Sequence, residues 1–223
     1  MTATVRPQTR AVRLTDPDQR LHQYLRALSG VPGPNFSAIT IVENSGYDFA
    51  ADVRRLFPAL PTEFICYQET RDSLPIAQLE AGMYTAFLRR STLLDSRRSI
   101  LKLTGRYTIR NIEQYINGPS NIGISFRPTF GGQSDALLTS LYKVSLNDFQ
   151  GFEAILKTTN FSNEPLEVHF ARYVRSLGPR AAVIQYPHIQ GVSGTFATDY
   201  EKNRKERARI ILSRLIPFCL LWG

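Results

Sequence analysis

The sequence holds few of the residues that build disulfide-rich or metal-dependent proteins. Its 223 residues include two cysteines, three histidines and one tryptophan. Cys66 and Cys219 lie far apart in the chain, and no Cys/His spacing typical of a metal site is present. Cys66 stands in an apolar strand pattern, which predicts a small buried side chain. These features favour a reducing compartment.

Long apolar runs and a secretory signal are also missing. No run reaches the roughly 18 apolar residues that a membrane-spanning helix needs. Residues 1–6 lack the apolar core of a secretory signal. The sequence therefore predicts a cytoplasmic protein, and its C-terminal residues leave open a peripheral contact with the inner face of the cytoplasmic membrane.

Acidic residues are fewer than basic ones, and this imbalance bears on the kind of ligand. There are 27 Lys and Arg against 19 Asp and Glu, a formal net charge of +8. Hydrophobic residues make up 43% and charged residues 21%, a globular and not a disordered composition. A basic protein of this size favours anionic partners, such as nucleic acid, phosphorylated small molecules or an anionic membrane face.

Glycine and proline breaks divide the chain into alternating strands and helices. The predicted strands cover 3–5 or 10–14, 37–43, 63–68, 99–104, 121–127, 136–144 and 181–185. The predicted helices cover 15–29, 48–57, 75–94, 112–116, 146–156, a segment from 165 and a segment from 199. This order predicts an α/β fold with a mainly parallel sheet flanked by helices. Residues 1–200 are predicted as one domain, and 201–223 as a basic amphipathic helix with an apolar tail.

One stretch carries the strongest chemical signal, an apolar strand that ends in a polar cluster. The cluster consists of Lys102, Thr104, Gly105, Arg106 and Tyr107. A glycine inside a strand pattern predicts a bulge or a close approach of backbone to a ligand. Arginine offers a fork of donors to phosphate and lysine a point charge, so the cluster predicts an anion site. The alternative is a strand followed by a tight turn with solvated charges.

Other candidates follow from the sheet, because ligands bind beyond the carboxyl ends of parallel strands. Asn44 closes a buried strand at this edge and is a candidate for binding a base or ribose. A plain turn residue is the alternative. Arg13 follows the predicted first strand and is a further candidate for a nucleotide contact. There the alternative is a helix cap at Asp16 beside a surface charge.

Glu80 lies on the helix that precedes the strand of Lys102. We expect it to pair with Lys102 or Arg106 and to orient that cation. The alternative is a solvated helix charge.

Several of these segments together resemble a bacterial glycosyltransferase group that builds lipopolysaccharide and capsule glycans. The similar segments are the string Lys102-Leu103-Thr104-Gly105-Arg106-Tyr107 with Asn111, residues 43–46, the Glu80-Ala81 step, a Glu near Glu167 and the loop 191–194. The resemblance covers most of the chain in the right order. It implies a GT-A-like, Rossmann-like fold and an enzyme that transfers a sugar from a nucleotide-sugar donor to a lipopolysaccharide O-antigen or capsule acceptor.

The chain departs from most GT-A enzymes at one position. Those enzymes usually carry Asp-any-Asp at the end of the strand that corresponds to 100–104, where the carboxylates hold a divalent metal. Here the string is Lys-Leu-Thr-Gly-Arg-Tyr, while Asp16-Pro17-Asp18 is better explained as a helix start. We therefore expect no divalent metal and no other cofactor. Arg106, Tyr107 or both, together with Lys102, are expected to neutralise the leaving nucleoside diphosphate. The alternative for Lys102 is that it reaches back into the sheet.

A general base is needed if the transfer inverts the anomeric centre, because the acceptor hydroxyl must lose a proton. Glu167 is the candidate by chain order, with Glu164 close behind. Both stand at the start of a helix, where acids are usually dipole partners, and that remains the alternative. His169 is expected to be a satisfied or exposed histidine.

The remaining donor-binding candidates lie in loops. They are Asn111, His188, Ser193 and Gly194, with Thr195 beside them. Backbone and hydroxyl donors in a glycine-rich loop suit phosphate or sugar. An ordinary loop between strand and helix would look the same.

The basic C-terminal segment carries Lys202, Arg204, Lys205 and Arg207 ahead of a short apolar tail. It is expected to lie in an anionic membrane interface, where a lipid-linked glycan acceptor would be found, or to dock on the domain. No nucleic-acid partner is expected. The alternative class is a non-catalytic module that binds anions or nucleic acid through the basic surface. A phosphoryl transferase is disfavoured, because the sequence has no Gly-x-x-x-x-Gly-Lys-Ser/Thr loop.

Overall fold

The structure is a computed structural model with an α/β architecture, a small parallel sheet flanked by helices. It describes residues 1–7, 12–69, 74–95, 99–118, 123–125, 139–161, 164–178, 181–184, 187–192 and 199–200, and the single positions 204, 208, 210 and 211. The predicted α/β class is confirmed. The predicted C-terminal helix and tail, 201–223, lie almost entirely outside the described residues. No described helix is both long and apolar enough to cross a bilayer.

The parallel sheet has the order β1-β2-β3, formed by Thr2–Ala3, Ile39–Glu43 and Thr62–Cys66. Helix α1 (Pro17–Ser29) begins at Asp16, whose side chain accepts a hydrogen bond from the Gln19 amide at 2.9 Å. Pro17 stands in the first turn, where its missing N–H leaves no bond unmade. Helix α2 (Ala50–Leu56) connects β2 to β3.

A second sheet has the order β4-β7-β6-β8, and β7 runs antiparallel to both of its neighbours. Its strands are β4 (Ser99–Leu103), β6 (Gly123–Ser125), β7 (Leu141–Ser145) and β8 (Ala182–Ile184). Strands β6 and β8 are parallel. A parallel bridge between Thr2 and Thr104 connects this sheet to β1. The predicted hairpin connection at 128–134 lies outside the described residues.

A two-stranded antiparallel ladder pairs β5 (Thr108–Ile109) with β9 (Ile189–Gln190). The sequence placed 187–195 in a loop and did not predict this pairing. Strands of two residues show no alternation of apolar and polar side chains, so periodicity cannot reveal them.

The other helices are α3 (Ile76–Arg90), α4 (Ile112–Ile116), α5 (Leu146–Thr158) and α6 (Leu166–Ser176), with a 3-10 turn at Gly33–Asn35. The largest core joins α3, α5 and α6 to β7 through Tyr142, Phe152 and Phe170, each 2% exposed or less. A separate core packs Tyr24 of α1 under the parallel sheet beside Ile41. The carboxyl end of β4 packs in a third core, where Leu103 lies with Tyr107 and Leu141.

Candidate functional site

The carboxyl ends of β1 and β2 are tied together by Thr4 and Asn44. The Thr4 hydroxyl donates a hydrogen bond of 2.6 Å to the side-chain oxygen of Asn44. The Thr4 amide donates to the Tyr24 hydroxyl at 2.8 Å, and the Thr4 carbonyl accepts from Arg20 Nε at 2.7 Å. Asn44 is buried, so its oxygen joins two strands of the protein. Its contact with a base or ribose stays a prediction.

A buried carboxylate shapes the turn that follows β2. Glu43 accepts backbone hydrogen bonds from Val5 at 3.0 Å, Ser45 at 2.9 Å and Tyr47 at 3.0 Å. The turn contains Gly46 with a φ of 72°, which glycine adopts without strain. Glu43 therefore anchors this turn.

Gly105 is required by the packing of the protein itself. A Cβ at this position would lie 2.7 Å from the Thr2 carbonyl oxygen and 2.8 Å from a ring carbon of Tyr24. The Gly105 amide donates to the same Thr2 oxygen at 2.9 Å. The backbone at Gly105 does approach a neighbour closely, as the sequence predicts, but that neighbour is the protein itself, at β1 and α1.

Lys102 lies inside the protein and is 4% exposed. Its ammonium forms an ion pair with Glu80, donates to Thr104 Oγ1 at 3.0 Å and donates to the carbonyl of Thr139. The expected pairing of Glu80 with Lys102 is present. An ammonium has three hydrogens, and these three acceptors use all of them. The assignment of Lys102 to the leaving diphosphate therefore needs correction, because no donor is left, and Lys102 instead positions Thr104.

Two buried tyrosines surround this ion pair. The Lys102 ammonium lies 5.7 Å from the ring centroids of both Tyr84 and Tyr142. The Tyr84 hydroxyl donates to Glu80 at 2.7 Å. Burial raises the pKa of both tyrosines well above the usual value, so both hydroxyls stay protonated.

Arg106 lies beside the end of β4 and contacts tyrosines. Its guanidinium carbon is 5.5 Å from the centroid of the Tyr107 ring. Burial acts to lower the pKa of Arg106, but the Tyr24 and Tyr107 hydroxyls outweigh it, so the pKa lies above its usual value. The buried Nε of Arg106 has no hydrogen-bond acceptor among the described residues.

A second guanidinium, that of Arg20, lies close to the first. Arg20 is 1% exposed and donates to the Leu14 carbonyl at 3.0 Å and to the Tyr24 hydroxyl at 3.3 Å. Burial lowers the pKa of Arg20, and the nearby charge of Arg106 acts in the same direction. Across the described ranges no carboxylate is paired with either arginine. The pair therefore concentrates positive charge at the sheet edge.

The segments around Arg106 and His188 meet in the structure. The Arg110 amide donates to the His188 carbonyl at 3.1 Å, and the His188 amide donates to the Asn111 side-chain oxygen at 2.8 Å. Gly191 has a φ of 123°, and a Cβ there would lie 2.9 Å from the carbonyl oxygen of Arg106. The structure thus brings the segment of His188 against the segment of Arg106 and Asn111, although His188 and Asn111 are 77 residues apart in the sequence.

Other predicted residues lie on different elements. Arg13 is exposed ahead of α1. Glu167 stands in the first turn of α6, next to the buried Leu166. The Glu164 carboxylate accepts from both terminal nitrogens of Arg172, at 2.6 and 2.7 Å. Glu164, the second candidate for the general base, is therefore engaged in an ion pair with Arg172.

Two predicted donor-binding residues, Ser193 and Gly194, lie outside the described residues together with Thr195. The described ranges contain no cluster of three His, Cys, Asp or Glu residues that could hold a metal ion.

Arg20 and Tyr24 are site residues that the sequence patterns did not indicate. Both stand on the buried face of α1, four residues apart and in line with Leu28. An arginine at a core-facing helical position is rare unless it is paired, and that signal could have identified Arg20. The patterns did not indicate Arg6 either, and its guanidinium carbon lies 4.8 Å from the centroid of the Tyr47 ring.

The fold and the site together define an α/β protein with a cationic, tyrosine-lined site at the carboxyl edge of its parallel sheet. No protein-family model, curated protein or solved structure matches the chain.

Proposed function

We propose that the protein is a glycosyltransferase that moves a sugar from a nucleotide-sugar donor to a cell-surface glycan, of the lipopolysaccharide O-antigen or capsule type. The observation that carries the proposal is the position of the Arg106 guanidinium. This group stands at the carboxyl edge of a parallel sheet, over the ring of Tyr107, with no carboxylate partner in the described ranges. A guanidinium so placed is suited to a phosphate group.

The proposed chemistry follows from this charge. Transfer breaks the bond between the anomeric carbon and a diphosphate oxygen, so negative charge develops on the leaving phosphate. A cation that is already oriented stabilises this charge without further reorganisation. Arg106 acts on the phosphate directly, while Lys102 acts through Thr104. Metal independence is proposed from the sequence, where Lys-Leu-Thr-Gly-Arg-Tyr replaces the acidic string.

Two further parts of the proposal concern the fold and the general base. A GT-A-like architecture is supported by the β1-β2-β3 parallel order and by the helices on its faces. Glu167 is proposed as the base that accepts the acceptor proton, since Glu164 is held by Arg172. The acceptor is a glycan or a lipid-linked glycan.

A thermal-shift panel tests the proposal. UDP, GDP, CMP, dTDP and ADP are each added with manganese or with a chelator. A nucleotide at 100 times its dissociation constant stabilises the folded protein by about 2.7 kcal/mol. We expect one nucleotide to raise the melting temperature, with no loss in chelator. Arg106→Gln should abolish the response, whereas Arg54→Gln on the exposed face of α2 should preserve it.

Each outcome has a defined meaning. Stabilisation that needs manganese would overturn the metal-independent mechanism and leave the donor class intact. A response to polyanions or to RNA, with none to any nucleotide, would replace the enzyme with the anion- or nucleic-acid-binding module. An Arg106→Gln protein that is unstable yet binds nucleotide normally would assign the arginine to structure.

A further inference from the structure

A cleft separate from the Arg106 cluster lies between α3, the end of α5 and the segment after β3. Its volume is about 390 Å³, within the range of sites for small ligands. Ala81, Gly82 and Ala86 of α3 line it with small side chains, and these leave the space open. A Cβ at Gly82 would meet the Tyr67 hydroxyl at 3.5 Å, an ordinary contact.

The lining of the cleft combines flat apolar surfaces with short polar groups. Tyr67 and Phe161 supply aromatic rings, and Gln78, Thr85 and Thr159 supply amide and hydroxyl groups. A sugar presents hydroxyl groups at its rim and C–H groups on its faces. This mixture of aromatic and polar side chains therefore suits a saccharide more than a purely apolar ligand.

Among the described residues that line the cleft, basic side chains outnumber acidic ones. Arg89, Arg90 and Lys157 line it, and Glu69 is the acid among the lining residues. Lys157 pairs with the buried Glu153 at 2.7 Å, so its charge is compensated within the protein.

Unlike Lys157, the two arginines of the cleft, Arg89 and Arg90, have no ion-pair partner among the described residues. Both are exposed. The guanidinium of Arg90 lies 5.4 Å from the centroid of the Tyr67 ring, which orients it over the cleft wall. Two guanidinium groups beside an aromatic wall favour a carboxylate or phosphate on the bound sugar.

The wall of the cleft is fixed to the sheet edge that carries the candidate site. The Glu69 amide donates to the Asn44 carbonyl at 3.0 Å, and the Gly46 amide donates to the Tyr67 carbonyl at 3.0 Å. Helix α3 also carries Glu80, which holds Lys102. A ligand in the cleft would thus lie against the same edge of β2 and the same helix as the proposed donor site.

We propose that this cleft binds an acidic sugar of the acceptor glycan, with Arg89 and Arg90 contacting its carboxylate or phosphate. This inference rests on the proposed function, since it assigns the acceptor side of the same enzyme. Uronic acids and sugar phosphates are two classes of ligand that combine a sugar ring with an anionic group.

Ligand-observed NMR titrations of the full chain test the cleft. The probes are trigalacturonic acid, glucose 1-phosphate, neutral maltotriose and inorganic phosphate. We expect at least one of the two acidic sugars to bind more tightly than maltotriose and inorganic phosphate, and the stronger of the two identifies the anionic group. The double variant Arg89→Gln/Arg90→Gln should weaken that binding about tenfold or more, because two charge-assisted contacts are lost.

Two matched controls accompany this variant. Arg54→Gln/Arg55→Gln removes an adjacent arginine pair from the last turn of α2, so it makes the same charge change elsewhere. It should leave affinity within about twofold. Gly82→Leu should block the cleft, and Gly82→Ala should leave it open.

The contrary results are equally defined. Equal losses in the two double variants would show attraction by net charge and overturn the site. So would binding that Gly82→Leu leaves unchanged, or the failure of every probe to bind. Maltotriose bound as tightly as the acidic sugars would show that the cleft does not recognise the charge. Inorganic phosphate bound as tightly as glucose 1-phosphate would show that the cleft does not recognise the sugar.

The nucleotide panel separates this inference from the proposed function. A wild-type protein that responds to a nucleotide but binds no acidic sugar retains its proposed function and loses the cleft assignment. A protein that binds the acidic sugar in the cleft but responds to no nucleotide loses the transferase proposal.

Discussion

Glu80 of α3 and Lys102 of β4 form an ion pair beneath the carboxyl end of β4, with side chains that are 18% and 4% exposed. The pair connects a helix to a strand and, through Lys102, to Thr104. The pair fixes the position of the residues that precede Arg106. It adds little net stability, because a buried ion pair is seldom more stable than apolar side chains of the same size.

Removing one partner of this pair should destabilise the fold. Lys102→Met leaves the Glu80 carboxylate unpaired, and we expect a loss of about 3 to 5 kcal/mol in the free energy of unfolding, measured by urea denaturation. The double variant Lys102→Met/Glu80→Gln should lose less than the sum of the two single variants. Glu164→Gln, which breaks the exposed pair with Arg172, should cost about 1 kcal/mol or less. Additive losses in the double variant would contradict the coupling.

Gly105→Ala should destabilise the protein, because the added Cβ would meet the backbone oxygen of Thr2 at 2.7 Å. Overpacking of this kind costs about 1 to 3 kcal/mol. Gly82→Ala in the helix interior of α3 is the matched control and should gain up to about 1 kcal/mol. Thermal and urea unfolding of both variants measure the difference. A tolerated Gly105→Ala would place β1 further from β4 than the structure does.

Tyr24→Phe should weaken both the fold and nucleotide binding. Its hydroxyl accepts from the Thr4 amide and from Arg20, and removing it leaves buried donors unpaired at a cost of about 1 to 3 kcal/mol. The expected nucleotide response is smaller, since the Tyr24 hydroxyl holds Arg20, whose charge adds to that of Arg106 at the site. Tyr47→Phe is the control, because the Tyr47 side chain contacts Arg6 through its ring and the variant keeps that ring. A matching loss in both variants would contradict this role for the Tyr24 hydroxyl.

Cys66 should be a slow nucleophile in the folded protein. Burial, with the Glu43 carboxylate nearby, raises the pKa of the Cys66 thiol to about 11. In a Cys219→Ser background, alkylation by iodoacetamide at pH 8 should be about 10- to 100-fold slower than in urea-unfolded chain.

The rate in the folded protein should rise with pH toward a midpoint near 11, whereas the unfolded thiol titrates near 9. The raised pKa supports folding below pH 9, and this support declines as pH rises toward 11. Fast alkylation at pH 8 in a folded sample would place the thiol outside the environment described here.

Local signals in the sequence account for most elements. The Asp16 cap and Pro17 mark the start of α1, and the helix at 112–116 has the predicted bounds. The position of Glu80 on the helix before the strand of Lys102 predicts a pair with Lys102 or Arg106, and the structure shows the pair with Lys102.

Long-range packing accounts for what the sequence could not reveal. Gly105 faces Thr2 and Tyr24, which are distant in the chain, so no local pattern identifies its neighbours. Lysine offers a point charge to phosphate, so the sequence alone allows Lys102 both at a phosphate and inside the sheet. Only the position of the Thr139 carbonyl shows that its donors are used.

Strand β1 pairs with β2 on one side and with Thr104 on the other, so it connects the two sheets. Peptide groups of β2 and of residues 104–105 that now bond to β1 would be unpaired without it, and unpaired strand edges recruit other chains. Truncation of residues 1–5 should therefore cause self-association as well as loss of the arginine site. We expect residues 1–5 to keep the neighbouring strand edges from pairing with other chains.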